Sequence, residues 1–247
     1  MLPPGTPSGD ETLPAALRPV VGDGAAECVW HNAGGGLTFR ILEPLRYVKW
    51  APVGSGLALG DEAVRLRWAA AWTPVPRVLD AGSTPEGEWL LTEGLPGSSA
   101  VDVRWHGDAA RVARAIGTGL RRLHDALPVE GCPFDWSVAG RLAAAAARNE
   151  PPAGLEPAPP VDRLVVCHGD ACAPNTLLDA SGAFLGHVDL DALGVADRWA
   201  DLAVATMSLG WNLPDPDGRL EGELLAAYGV DPDPVRTDFY RRLWNAT

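Results

Sequence analysis

Two short segments hold the residues best suited to chemistry, His168-Gly-Asp-Ala-Cys-Ala-Pro-Asn175 and His187-Val-Asp189, each entered from a short apolar run. An aspartate with an asparagine five residues later in a tight loop offers a carboxylate that can take a proton from an attacking hydroxyl. The same loop offers an amide oxygen that can turn back towards a divalent cation. Asp189, at the end of the following strand, adds a second oxygen ligand. Phosphoryl transfer needs this set, and it casts Asp170 as catalytic base with Asn175 and Asp189 on Mg²⁺. The plainer alternative is a turn-forming pair in an ordinary loop. The chain supplies its own control: His106-Gly-Asp108 repeats the tripeptide but has Ala113 where the asparagine should stand. That copy opens a helix, so Asp108 reads as an N-cap.

Lys49 is the single lysine in a chain with 19 arginines, which singles it out as a position that wants a compact point charge; a chance surface lysine is the alternative. In Tyr47-Val-Lys49-Trp-Ala51 the alternation places Lys49 and Tyr47 on one strand face, and Glu62 on the next helix is a suitable partner to hold the ammonium towards nucleotide phosphates. Asn32-Ala-Gly34-Gly35-Gly36 between two strands could bring backbone amides close to phosphates, although a plain hairpin turn is the commoner use of such a run. It is not a Walker loop, because no Gly-Lys-Ser/Thr follows. Thr92 to Leu95, with Gly94 in it, is the expected hinge against the adenine edge.

The elements that must position these residues fall into two halves. Ala25 to Trp30, Leu37 to Leu42, Arg46 to Ala51 and Trp89 to Thr92 read as strands of an antiparallel meander, with a helix over Asp61 to Trp72. Glu93-Gly-Leu-Pro-Gly97 breaks the regularity and suggests a boundary, giving a lobe over 1–95 and another over 96–247 with the hinge at 92–97. Beyond it, Val112, Ile116, Leu120, Leu123 and Leu127 recur at helical spacing. Leu164 to Cys167, Thr176 to Leu178 and Ala183 to Val188 read as short strands, the last two joined by an Asp179-Ala-Ser-Gly182 turn. Glu150 to Pro160 reads as a loop, and helices are predicted at Ala196 to Leu209, Leu220 to Tyr228 and Pro234 to Trp244. The fold class is α+β: a small antiparallel-sheet lobe followed by a mainly helical one.

The 247 residues, 47% hydrophobic and 21% charged, can bury a real core. A net charge of −12 repels nucleic acid and anionic lipid and attracts cationic small molecules, though acidity also simply keeps a protein soluble. No apolar run approaches a membrane span, and the opening MLPPGTPSGDETLP has neither a basic start nor an apolar signal core, so a cytoplasmic protein is expected. Cys28, Cys132, Cys167 and Cys172 have no paired metal spacing and read as buried thiols.

Together these segments resemble the aminoglycoside 3′-phosphotransferase family, whose fold is similar to that of protein kinases. The resemblance runs from about Cys28 to Tyr240 and is densest in Val166-Cys-His-Gly-Asp-Ala-Cys-Ala-Pro-Asn-Thr-Leu-Leu178. It continues through Val188 to Ala203, with Arg122-Leu-His124, Cys132-Pro-Phe-Asp135 and Phe239-Tyr-Arg-Arg-Leu243 also matching. It implies Lys49 on the nucleotide phosphates with Glu62 as its partner, Asp170 as base, Asn175 and Asp189 on magnesium, and Asp201 bracing the catalytic loop. It also implies ATP as donor, GTP being the open alternative, and a cationic antibiotic as acceptor, through its 3′-hydroxyl. Two departures touch the acceptor side. The stretch from Arg148 to Val161 is shorter than the family pattern and lacks its acidic loop, with only Glu150, Glu156 and Asp162 nearby, and Trp244-Asn-Ala-Thr247 stands where the family carries an acidic pair and aromatics. A weakened grip on aminoglycosides is the expectation.

Three other readings compete. A kinase of another hydroxylated small molecule would share all the donor-site residues. His168, Asp170, His187 and Asp189 could instead be ligands of a metal-dependent hydrolase, which leaves Asn175 and Lys49 without a task. A non-catalytic module on a degenerate kinase fold would be expected to have lost donor-side residues, and none is missing.

Overall fold

The computed structural model describes residues 5, 11–22, 24–32, 34–148 and 154–247. Most of the opening stretch, Ala33 of the glycine turn and the start of the Glu150 to Pro160 loop, Glu150 included, lie outside the described residues. The chain divides into two compact units, Met1–Ala71 with Val75–Leu95, and Trp72–Pro74 with Pro96–Thr247.

The first unit holds a short helix α1 (Arg18–Val21) and five antiparallel strands: β1 (Ala26–His31), β2 (Leu37–Ile41), β3 (Arg46–Pro52), β4 (Val78–Thr84) and β5 (Gly87–Glu93), in the order β1-β2-β3-β5-β4. Alternation sends Phe39, Ile41, Val48 and Trp50 to one face, where they pack with Leu17, Val21 and Leu91. Lys49, between Val48 and Trp50, is left on the opposite face, directly across from Leu90 of β5. Helix α2 (Leu59–Ala69) buries Leu59, Glu62, Ala63, Leu66 and Ala69, so a carboxylate sits within its apolar stripe. The edge strand β4 was not predicted: Asp80, Gly82 and Ser83 interrupt its apolar pattern, and an edge strand needs little burial.

The second unit contains β6 (Ser98–Ser99), α3 (Ala109–Ala126), α4 (Val138–Ala147), β7 (Leu164–Cys167), β8 (Thr176–Leu178), β9 (Phe184–His187), β10 (Gly194–Asp197), α5 (Trp199–Asn212), α6 (Leu220–Tyr228) and α7 (Pro234–Ala246). The strands form two small sheets, β6-β8-β9 and β7-β10. Asp108 caps α3 by accepting from the Arg111 amide at 3.2 Å, and Val112, Ile116, Leu120, Leu123 and Leu127 are all buried. Each such side chain contributes roughly 1.5–3 kcal/mol. Gly117 lets α6 approach this face, since a Cβ there would lie 2.2 Å from the Leu224 carbonyl oxygen.

The helix predicted from Ala196 instead starts at Trp199. Gly194–Asp197 pairs antiparallel with β7, and the ladder claims Ala196 as strand before the helix begins. Helix α4 was also not singled out in the sequence; Ser137 caps it by accepting from the Gly140 amide at 3.1 Å, and its alanine-rich run lacks a clear apolar periodicity. No described helix is long and apolar enough to cross a membrane.

Candidate active site

In the first unit Lys49 Nζ lies 2.7 and 2.8 Å from the two carboxylate oxygens of Glu62. Glu62 is only 2% exposed, so its charge is compensated inside the α2 stripe. The glycine turn closes β1 on β2 by its own hydrogen bonds: the Gly34 amide donates to Asn32 Oδ1, the Gly35 amide to the Asn32 carbonyl, and the Asn32 amide to the Gly36 carbonyl. Side chains at Gly34 or Gly36 would overlap the Ser55 carbonyl oxygen or the Leu57 side chain. Thr92 is buried within β5, its neighbours being Tyr47 of β3 and Val78 of β4. The next two amides are committed, Glu93 to the Arg77 carbonyl and Gly94 to the Leu45 carbonyl.

In the second unit β7 delivers His168, Gly169 and Asp170 to a loop fastened from below by Asp201 near the start of α5. The fully buried Asp201 carboxylate accepts from the His168 amide at 2.6 Å, the Gly169 amide at 2.9 Å and His124 Nε2 at 2.9 Å. An ionised carboxylate only accepts, so His124 Nε2 is the donor, and its Nδ1 lies 2.8 Å from the Tyr228 hydroxyl. Burial on its own would raise the Asp201 pKa. The hydrogen bond from His124 and the amide of Gly169 outweigh it and hold the carboxyl below its usual range. Tyr228 is pushed up to about 12, chiefly by burial. Gly169 has a φ of +89°, and a Cβ there would sit 2.1 Å from the Ala192 carbonyl oxygen, so the turn into Asp170 requires glycine.

Asp170 and Asn175 are in direct contact: Asn175 Nδ2 donates to the Asp170 carbonyl at 3.0 Å and to Asp170 Oδ2 at 3.1 Å. Both partners are acceptors, which fixes the amide orientation and leaves Asn175 Oδ1 facing elsewhere. Asp170 Oδ1 is buried and has no hydrogen-bond partner among the described residues. The rest of the loop is pinned by the Ala173 amide on Ser208 Oγ at 2.9 Å, Ser99 Oγ on the Pro174 carbonyl at 2.9 Å, and the Val188 amide on the Asn175 carbonyl at 3.0 Å. The Cys172 thiol is pushed well up by burial and by the Asp170 carboxylate. Asp189, two residues past β9, adopts a φ of +65°, the single non-glycine residue with positive φ among those described. For a side chain with a Cβ this conformation carries a strain cost, smaller for aspartate than for most residues.

His168 and His187 form a packed pair instead of a metal site. Their rings meet edge to face at 5.4 Å, His168 Nε2 lies 2.9 Å from the Val188 carbonyl, and His187 is fully buried, with burial and the neighbouring His168 holding its pKa well down. Among the described residues the His/Cys/Asp/Glu group with convergent ligand atoms is His124, Cys167 and Asp201, and those Asp201 oxygens already serve the loop. Ser208 and the Tyr228–His124 relay escaped sequence reading. Arg122-Leu-His124 matches the family, but nothing local assigns His124 its partner, and only the packing of α3, α5 and α6 brings these residues to the loop.

Comparison with known proteins agrees with this architecture. Residues 51–240 match the model of the phosphotransferase enzyme family. The chain is 32% identical to streptomycin 3″-kinase from Streptomyces griseus, covering 95% of this chain and 97% of that one. It is 35% identical to an aminoglycoside 3′-phosphotransferase from Streptomyces ribosidificus, covering 87% and 94%. The solved structure of aminoglycoside phosphotransferase APH(3″)-Id from Streptomyces rimosus in complex with ADP and streptomycin superposes with a TM-score of 0.73 at 31% identity, covering 92% of this chain and 94% of that one. The chain therefore belongs to the phosphotransferase enzyme family that includes the aminoglycoside 3′-phosphotransferases, and is an ATP-dependent phosphotransferase of α+β, kinase-like fold.

Proposed function

We propose that this enzyme transfers the γ-phosphoryl group of ATP to the 3′-hydroxyl of an aminoglycoside, in the cytoplasm, with Asp170 as the catalytic base. The observation that carries the assignment is the Asp170 carboxylate. Asn175 Nδ2 holds one of its oxygens at 3.1 Å, and the other has no hydrogen-bond partner among the described residues, which leaves the carboxylate with capacity to accept a hydroxyl proton. In the forward step the acceptor hydroxyl gives its proton to the Asp170 carboxylate as its oxygen bonds to the γ-phosphorus, and the bond to the β-phosphate oxygen breaks to release ADP. Asn175 and Asp189 fit a magnesium site by chemistry: Asn175 Oδ1 is left over once Nδ2 is spent on Asp170, Asp189 is a hard carboxylate in a conformation with a strain cost, and Mg²⁺ prefers oxygen ligands. When bound, the ion neutralises charge on the nucleotide phosphates. Lys49, oriented by Glu62, would hold the α- and β-phosphates, while Gly34, Gly35, Gly36, Thr92 and Gly94 would line the nucleotide.

A second acceptor position is favoured by the relatives matched over nearly their whole length, which include a streptomycin 3″-kinase and a structure holding ADP and streptomycin. A coupled ADP-release assay over kanamycin-type aminoglycosides, their 3′-deoxy analogues, streptomycin and neutral sugars separates the readings. Turnover lost with the 3′-hydroxyl supports the first, and turnover of streptomycin alone supports the second. Activity confined to a neutral acceptor refutes both and leaves a kinase of another hydroxylated small molecule. Asp170→Ala should lower kcat by roughly 10²–10⁴ with nucleotide affinity retained.

A further inference from the structure

The β8–β9 hairpin has Asn175 and Asp189 at one end, and at the other the turn from Asp179 to Gly182. That far turn meets α3 across a cavity of about 410 Å³, lined by Arg111, Arg114 and Arg122 and by no acid among the described residues. In a chain with 32 acidic and 20 basic residues, such a concentration of positive charge departs from the surface as a whole. Positions 111, 114, 118 and 122 lie three or four residues apart, which puts the three arginines and the Thr118 hydroxyl on one face of the helix. Two of the guanidiniums are fixed by acids outside the lining: Arg111 Nε donates to Asp108 at 2.8 Å, its Nη1 to the Ser181 carbonyl at 2.9 Å, and Arg114 Nη1 donates to Glu223 at 2.8 Å. A guanidinium carries five N–H donors, so both keep donors beyond those bonds. Arg122 is half-buried and makes no hydrogen bond or ion pair with a described residue. Asp108 and Glu223 offset two of the three charges, so the excess positive charge rests with Arg122. Gly182 makes room for the Arg111 stem, since a Cβ there would lie 2.8 Å from Arg111 Cδ. Arg122 and Phe184 also line an adjoining cavity of about 460 Å³, whose further wall is Trp72, a residue of the same unit that is 50% exposed. The acid there, Asp125, is already held by Arg121 at 2.5 Å and Arg163 at 2.9 Å.

We propose that this groove is a second, non-catalytic ligand site for a phosphate monoester that carries a flat ring, with the phosphate on the arginine cluster and the ring against Phe184 and Trp72. A phosphate monoester carries between one and two negative charges at neutral pH and offers three acceptor oxygens, which the planar fork of a guanidinium matches in pairs. Aromatic side chains stack on flat rings, and cavities of this size take molecules much larger than a bare phosphate. Nucleotides and other phosphorylated aromatic compounds share this chemistry. The site lies at the opposite end of the β8–β9 hairpin from Asn175 and Asp189, so its occupation leaves the phosphotransfer residues free.

Isothermal titration calorimetry of the full chain with phenyl phosphate, AMP and inorganic phosphate, in the absence of magnesium, tests this. Phenyl phosphate should bind saturably and at least about threefold more tightly than inorganic phosphate, because of the ring contact. Arg122→Gln, which removes the uncompensated charge, should weaken phenyl phosphate by about tenfold. Lys49→Met should leave that affinity unchanged, which separates the groove from the nucleotide site. Should Arg122→Gln fail to fold, Arg114→Gln, at a half-exposed position, carries the same test with an expected weakening of about threefold or more. AMP binding that is also lost in Arg122→Gln and tighter than phenyl phosphate assigns the site to nucleotides, and the reverse order assigns it to other phosphorylated rings; both support the proposal. No saturable binding of either ester, inorganic phosphate binding as tightly as phenyl phosphate, or affinity that survives Arg122→Gln and is lost in Lys49→Met overturns it.

Discussion

Removing the Asp201 carboxylate is the sharpest test of how the loop is held. It is fully buried and accepts from two amides, His168 at 2.6 Å and Gly169 at 2.9 Å, and from His124 Nε2 at 2.9 Å. Asp201→Ala leaves three buried donors without an acceptor, each costing about 1–3 kcal/mol. Water entering the vacated space recovers part of that sum, so the expected loss is about 3–5 kcal/mol, the usual cost of breaking a buried charged pair. Urea titration should show a lower midpoint at unchanged slope, and the melting temperature should fall by roughly 6–20 °C for a chain of this size. The pH dependence has a definite sign. The folded-state pKa of Asp201 is depressed, so its contribution is present above the unfolded value of about 3.9 and is lost as pH falls through the folded value. The stability gap between wild type and Asp201→Asn should therefore shrink as pH falls below about 4. Displacing Asp170 by about 1 Å should also cost on the order of 100-fold in kcat. A variant within about 0.5 kcal/mol of wild type, or a gap that widens in acid, refutes the reasoning.

Three further outcomes follow from the geometry. Gly169→Ala, with its φ of +89° and a Cβ 2.1 Å from the Ala192 carbonyl oxygen, should destabilise by about 2–4 kcal/mol in chemical denaturation, whereas Gly107→Ala, which meets nothing within 4 Å, should be nearly neutral. Lys49→Met should destabilise by about 1–3 kcal/mol because it removes the ammonium that pairs with the buried Glu62 carboxylate, and adding Glu62→Gln should recover part of the loss; strict additivity in that double-mutant cycle would count against a coupled pair. ADP should raise the melting temperature of the wild type more with magnesium than without it, and Asp189→Ala should abolish the difference; a full magnesium effect in the variant would place the ion elsewhere.

What the sequence alone determined is what depends on neighbours along the chain. The Asp170–Asn175 spacing, the Asp108 cap and the apolar stripe from Val112 to Leu127 are local patterns, and local patterns survive without knowledge of the fold. The pairing of Lys49 with Glu62 was also legible, since strand alternation and helix periodicity each fix a face. Tertiary structure decided the rest. Strand β4 is an edge that needs no apolar alternation, and Ala196 becomes strand because β7 lies beside it to accept the ladder. The commitments of the Gly34, Gly35 and Gly94 amides depend on which carbonyls the folded turns bring within reach. The support beneath the catalytic loop is the clearest case: the family resemblance already pointed to Asp201 as the brace, but its partners His124 and Tyr228 come from two further helices, separated by 77 and 104 residues along the chain at their contacts with His124. No periodicity links such positions, and only the packing of α3, α5 and α6 closes a buried polar network whose members each need the others to satisfy their hydrogen bonds.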